Sequence, residues 1–355
     1  MIGKARLTLL TAIVCMPWSY SSVVADPSNG PWIINTAGEK GAYHSAFCPV
    51  LVDRLETAGF GGTCRVSNGT SENLARVAAS PTEIGFGQLD VLALDMPQYG
   101  GASQFRRLRV DDVRECIFAV TRNRALTNFG EVAVRAAGLK FILPPETSGS
   151  AGTFRFLQRI DPYAFGQARD VLHAADADEA IRIALASEDA VALFVQVPDP
   201  DNARFKLIDE LGGHLVPVID RNILEQKLEG SQVYFPQETQ IEAGRWLRGS
   251  AKAVTACTPL VVFTGTSERI PDAAARARHA GMVSAVMALR GEELLPQQSF
   301  FARVLKRTRE LTAVGAQKFV EFSEQAREKA APLIEKAREA ARQAVEQAKP
   351  VKDQP

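Results

Sequence analysis

Apolar and polar positions along the chain repeat one design: a short apolar run, a turn of small polar residues, then a stretch with helical spacing. Residues 31–35 (PWIIN) read as a buried strand, and 36–44 follow as a loop. Over 45–57 the spacing of Phe47, Val50, Leu51 and Leu55 predicts a helix. Residues 64–66 form the second strand. The stretch 66–90 carries the design most fully. It turns through Asn68-Gly69-Thr70-Ser71 and enters a helix with Leu74, Val77 and Ala78 on its apolar side, for which Thr70 or Ser71 is the expected N-cap. A turn at Ser80-Pro81 leads to the apolar strand 84–86 and to Gln88. Residues 106–110 add a strand. Such alternation argues for an α/β sheet with parallel strands.

The pattern then starts again. Residues 115–122 (ECIFAVTR) and 139–143 read as strands, the latter running into Pro144-Pro145-Glu146-Thr147-Ser148-Gly149-Ser150 and a helix over 153–159. Helical spacing returns over 177–187, and 190–196 is a buried strand. Residues 205–209 and 215–218 are short strand candidates, and 222–229 reads as helical. A last buried strand spans 256–264, and a helix spans 271–290 with Pro271 in its first turn. The chain is thus expected to build one lobe over 26–122, a second over 123–254, and to return to the first over 255–298.

Residues 299–355 differ, being rich in Ala, Glu, Lys, Arg and Gln. Phe322, Ala326, Ala330, Leu333, Ala337, Ala341, Ala344 and Ala348 recur at steps of four and three, an eleven-residue period suited to a nearly straight helix. The stripe is mostly alanine, so its hydrophobic drive is small. A solvated helical tail is expected, with self-association as the alternative. Its mixed charges lack the basic bias that anionic lipid favours.

A length of 355 residues with 46% hydrophobic content allows two domains with real cores. Basic and acidic residues balance at 41 each, and nothing in that balance calls for nucleic acid. Lys4 and Arg6, the apolar run 7–16 and the small residues before Asp26 read as a secretory signal peptide cleaved after Ala25, which implies a periplasmic protein. A lipoprotein reading of Cys15 fails because Val14 is too large. Four cysteines then remain: Cys48, Cys64, Cys116 and Cys257. An oxidising compartment permits disulfides, and three pairings are open. Cys48 in the first helix is within plausible reach of Cys64 at the next strand. Cys116 and Cys257 lie in strand-like runs that could be neighbours in one sheet. Four free, partly buried thiols are the alternative. The histidines are scattered, and no metal-ligand spacing or cofactor motif is present. No G-x-S-x-G nucleophile elbow occurs, and no histidine sits in a motif to serve Ser148 or Ser150 as base, so an enzyme is not expected.

Several motifs together resemble the TAXI family of solute-binding proteins, which serve tripartite TRAP transporters. They are the loop from Thr36 to His44 containing Tyr43, the turn Asn68-Gly69-Thr70-Ser71 followed by Glu72-Asn73-Leu74, and Gln88-Leu89-Asp90 at a strand end. The second-lobe turn from Pro144 to Ser150, the strand before Pro198 and the return strand 258–264 complete the set, in order. Glu39 and Lys40 in the first loop, and Leu89 where the family has serine, depart from the pattern and leave the ligand open. The resemblance implies a two-lobe type 2 periplasmic-binding-protein fold with hinge crossover strands, plus the C-terminal helical extension. It further implies a small organic anion in the cleft, TRAP membrane subunits as partners, and ligand contact by Tyr43, Asn68, Thr70, Ser71, Gln88, Thr147, Ser148 and Ser150. Each residue also has a plainer role: the hydroxyls as helix caps, Gln88 and Asp90 in buried turns, Tyr43 in the core. Asp90 is the one most expected to be structural, and Lys40 could pair an anion. A periplasmic sensor or scaffold, with the C-terminal helix as partner element, is the alternative function.

Overall fold

The computed structural model describes residues 30–39, 41–199, 202–241, 252–289, 293 and 308–347. The expected signal peptide, Cys15, Lys40 and Ala348 lie outside them. The first three βα steps form as the pattern requires: β1 (Trp32–Asn35), α1 (Cys48–Thr57), β2 (Gly62–Arg65), α2 (Thr70–Ala79), β3 (Ile84–Gln88) and α3 (Leu89–Asp95). β1 lies between β2 and β3 and is parallel to both. A π-helical turn, Tyr43–Phe47, precedes α1, so Tyr43 and His44 are helical rather than in the loop.

The expected strands at 106–110 and 115–122 are one strand, β4 (Phe105–Thr121). Asp111 and Asp112 break the apolar pattern without breaking the backbone, because the strand changes partners there. Its first part pairs with β12 (Lys252–Gly265) and its last part with β7 (Ala190–Gln196) and β8 (His214–Val216).

Beyond β4 come α4 (Phe129–Val134), β5 (Lys140–Leu143), α5 (Gly149–Ile160), β6 (Asp170–His173), α6 (Ala177–Leu185) and β7 (Ala190–Gln196). These are followed by α7 (Ala203–Glu210), β8 (His214–Val216), α8 (Arg221–Leu224), β9 (Lys227–Leu228), β10 (Ser231–Gln232) and β11 (Phe235–Gln240). The chain closes with β12 (Lys252–Gly265), α9 (Ala273–Ala288), β13 (Thr308–Glu310) and α10 (Ala313–Gln347).

The sheet order repeats itself. One half runs β2-β1-β3-β12-β4, and the other runs β6-β5-β7-β4-β8. In each, three parallel strands are followed by an antiparallel one, and β4 and β12 are the long strands shared between halves. The expected α/β architecture with crossing strands and a helical C-terminal part is therefore present. One apolar core packs Leu74, Leu89 and Phe263 of the first half with Phe141, Phe154 and Leu193 of the second. Separate cores fill the outer faces around Phe47 and Phe86, and around Phe118 and Phe205.

Three local expectations are corrected. Residues 205–209 lie in helix α7, because the Asn202 side chain caps its start and Phe205 and Ile208 share a buried face one turn apart. Residues 222–229 give only the short α8 and then a β9–β10 hairpin, whose turn uses Glu229 at φ 49° and Gly230 at φ 82°. Pro271 precedes the cap of α9, Asp272, rather than lying in its first turn. The elements α3, α4, β6, β11 and β13 had no clear periodic signal.

Both disulfides form. Cys48–Cys64 ties α1 to β2 with a Cα separation of 6.0 Å, and Cys116–Cys257 joins β4 to β12 between the halves. The C-terminal helix is docked over its first turns rather than solvated. Ala316, Val320 and Ser323 are buried, while Phe322 of the expected stripe is 59% exposed. Alanine drive was not the deciding contact. Ser323 donates to Asp220 (2.9 Å), and Arg327 bridges Asp161 (2.7 Å) and Asp220 (3.0 Å). Gly130 of α4 lies so close to the Ser323 carbonyl that a Cβ would collide with it. Among the described residues no helix is long and apolar enough to cross a membrane.

Candidate functional site

The carboxyl ends of β1 and β3 from one half, and of β5 and β7 from the other, run into the junction between halves. In open α/β sheets ligands bind at such ends. Two helices begin there, α2 after Gly69 and α5 after Ser148. Gly69 sits at φ 121°, a conformation that side chains resist. A Cβ on it would stand 3.3 Å from the amide nitrogen of Gly149, so the two helix starts approach backbone to backbone. The first N–H groups of a helix have no intrahelical acceptor and carry partial positive charge.

The predicted residues divide into groups. Ser148 caps α5, accepting from the Ala151 amide at 3.2 Å, and Thr147 beside it is exposed. Ser150 is buried and accepts from the Val195 amide of β7 at 2.9 Å. Thr70 and Ser71 do not cap α2, which corrects the expectation. Gly69 occupies the cap position, Thr70 Oγ1 accepts from the Gln88 amide (3.1 Å), and Ser71 donates to Asp95 (2.6 Å). Glu72 supplies the missing capping, accepting from the backbone and side-chain amides of Asn68 at 2.8 Å each. Those bonds and Arg76 hold the Glu72 carboxyl below its ordinary range.

Tyr43 is buried, stacks on Phe86 with ring centroids 5.6 Å apart, and donates to Glu115 Oε2 at 2.5 Å. Gln88 also bonds to Glu115. Its own Oε1 is buried with no protein hydrogen-bond donor, and it lies where a Gly149 side chain would be. Burial pushes the Glu115 carboxyl up to about 7, opposed by the bonds from Tyr43 and Gln88 and reinforced by Asp90. The same burial and Glu115's charge raise the Tyr43 hydroxyl well above its ordinary value.

Asp90 is fully buried. Its Oδ2 accepts from Thr153 of α5 (2.5 Å) and from Tyr234 (2.8 Å), and its Oδ1 from the Val91 amide (2.9 Å). Burial raises its carboxyl against the pull of those bonds. It thus ties the first half to the second.

Sequence reasoning passed over Glu115, Arg155 and Asn73. Arg155 of α5 reaches across to Ser71 Oγ (3.3 Å) and holds the Glu146 carbonyl (3.0 Å). Asn73, fully buried, donates to the carbonyls of Thr36 (2.6 Å) and Phe86 (2.8 Å) and so fixes the ends of β1 and β3 together. A lone acid heading the apolar run after Arg114 was the one available signal for Glu115. The junction therefore carries amide and guanidinium donors together with two carboxyls. Among the described residues no cluster fit to hold a metal ion occurs.

No protein-family model matches the chain, and no curated protein does. Among solved structures it is similar in shape to PhnD1 from Prochlorococcus marinus in complex with methylphosphonate. That match has a TM-score of 0.46 at 9% identity and covers 84% of this chain and 98% of that one. XAC2383 from Xanthomonas citri bound to ATP matches with a TM-score of 0.41 at 11% identity, covering 84% and 98%. MatC from Rhodopseudomonas palustris with bound malate matches with a TM-score of 0.40 at 12% identity, covering 83% and 98%. Likeness of this degree carries no argument about what this chain binds.

Proposed function

We propose that this chain is an exported solute-binding protein that captures a small organic anion, a carboxylate or amino-acid-like compound, at the junction of its halves. The observation that carries the reading is the meeting of the α2 and α5 N-termini, with Gly69 set against Gly149. Two positive helix ends repel each other. An oxyanion between them would be stabilised by each, by about 0.3–1 kcal/mol per helix end at low ionic strength. Arg155 adds a cation beside Ser71. Gln88 ends β3, Tyr43 reaches it through Glu115, and Ser150 lies in the first turn of α5, while Asn68, Thr70, Ser71, Thr147 and Ser148 flank the two helix starts.

The halves touch in the state described, so capture requires them to part and close again. Ligand contact with both halves would favour the closed state through differential affinity. Delivery to a TRAP-type membrane transporter, and membership of the TAXI family, complete the reading and rest on the sequence motifs. A thermal-shift screen of organic acids tests it: at least one mono- or dicarboxylate should raise the melting temperature of the mature protein. No shift from any acid at millimolar concentration would count against it.

A second reading, a periplasmic sensor or scaffold, is favoured by one observation. The start of α10 is clamped to the body by Arg327, and its Phe322 and Val314 remain exposed. Removing the helix should then abolish partner recovery and leave ligand affinity unchanged.

A further inference from the structure

The junction holds two carboxyls, Glu115 and Asp90, and among the described residues no lysine, arginine or histidine bonds to either. Asp90 accepts from Thr153, Tyr234 and the Val91 amide. Glu115 accepts from Tyr43 and Gln88, and the charge of Asp90 acts on it through space. An ionised carboxyl has about four acceptor positions, so Glu115 keeps open ones. A carboxylate taken from water without a counter-charge is costly.

Gln88 adds an acceptor with no donor. Its side chain is buried, at 3% exposure. An ionised Glu115 can only accept, so the Gln88 amide must turn Nε2 toward it and Oε1 away. That Oε1 has no donor in the protein and lies where a Gly149 side chain would be. Leaving a buried acceptor unpaired costs its full desolvation. Gly149 opens α5, and its amide is the group that Gly69 approaches. The orphan acceptor and the two helix starts therefore adjoin at a single glycine.

We propose that the ligand of the junction is an α-amino acid, its ammonium received by Gln88 Oε1 and Glu115 and its carboxylate by the starts of α2 and α5. This rests on the function proposed above and names the ligand class. An ammonium offers three donors and no acceptor, which suits Gln88 Oε1 and the open positions of Glu115. Its charge balances a carboxyl that no side chain balances. A simple carboxylate would leave Oε1 unpaired and bring another negative charge toward Glu115 and Asp90. An amine several carbons from the carboxylate would overshoot acceptors and donors that meet at one residue. Glu115 and Gln88 are thus the specificity residues, and Tyr43 positions Glu115.

A thermal-shift screen of the twenty common amino acids on the mature protein comes first. Each hit is then titrated by calorimetry at pH 8, where Glu115 is ionised, against the acid that lacks its amine. At least one amino acid should bind about tenfold or more tightly than its deaminated partner. Glu115→Gln should weaken that amino acid about tenfold and tighten the deaminated acid about threefold, a gain that misfolding cannot mimic. A deaminated acid that binds as tightly as its amino acid, or affinities unchanged by Glu115→Gln, would overturn the inference and leave capture of an organic anion standing. No hit among the amino acids would overturn it too, and joined to a blank screen of organic acids would remove the proposed function as well.

Discussion

Glu115→Gln is expected to flatten the dependence of stability on pH. Glu115 lies in the junction beside Tyr43 and Gln88, and its carboxyl titrates near 7 in the fold against an ordinary 4.5. A carboxyl raised on folding favours its protonated form. Its contribution to stability is full below about 4.5, declines as pH rises, and is lost above about 7. That interval corresponds to about 3 kcal/mol at most. Glu115 keeps some exposure, so water screens part of it, and about 1–2 kcal/mol is the expected loss between pH 5 and pH 8. Asp90, also raised, adds a loss of the same sign. Buried His279, whose imidazole is lowered by burial, loses stability in the opposite direction as pH falls. His279 cancels when variant and parent are compared, while Asp90, whose charge acts on Glu115, is relieved in the variant and adds to the flattening. Glutamine can still accept from Tyr43, so the variant should fold. Urea unfolding at several pH values measures the difference. Equal slopes in variant and parent would refute the reasoning, and so would a variant that loses stability faster as pH rises.

Arg327→Ala should cost about 2–3 kcal/mol, toward the lower end for a broken buried pair because the arginine is a quarter exposed, and should let protease remove α10 sooner. A loss below about 0.5 kcal/mol would mark the clamp as a surface pair. Replacing Cys116 and Cys257 together by serine should lower stability by about 2–4 kcal/mol in non-reducing urea and loosen the crossing strands, which small-angle scattering would read as a larger radius. Gly149→Ala places a methyl against buried Gln88 Oε1 and should cost about 1–3 kcal/mol while weakening whichever acid the screen identifies. A stability equal to the parent's would mean the halves do not meet at that glycine.

The repeated βα steps were legible because each couples an apolar run to a polar turn, and that pattern is local. β1, β3, β5 and β7 fall where periodicity set them, and β2 overlaps its expected place but starts two residues earlier, at Gly62. Partner exchange along β4 was not legible: two acids in mid-strand look like a break until one sees that the strand leaves one half for the other. The docked face of α10 was missed for a related reason. An alanine stripe was weighed by its hydrophobicity, whereas the contact depends on Ser323, Arg327 and the absence of a side chain at Gly130. In the junction, the turns at Asn68 and Ser148 could be read because turn chemistry is local. The Glu115–Tyr43 pair, 72 residues apart, and the Ser71–Arg155 contact, 84 apart, depend on tertiary proximity that spacing does not encode. Gly69 rather than Thr70 took the cap position because only glycine suits φ 121° where two backbones meet.

Native mass spectrometry of the mature protein, purified without added ligand and then denatured, tests the central reading most directly. Capture of an organic anion at the junction predicts a mass excess on the folded protein that leaves on unfolding as a small carboxylate, and that is lost in the Gly149→Ala variant. A folded protein of bare polypeptide mass that takes up none of the screened acids would contradict it.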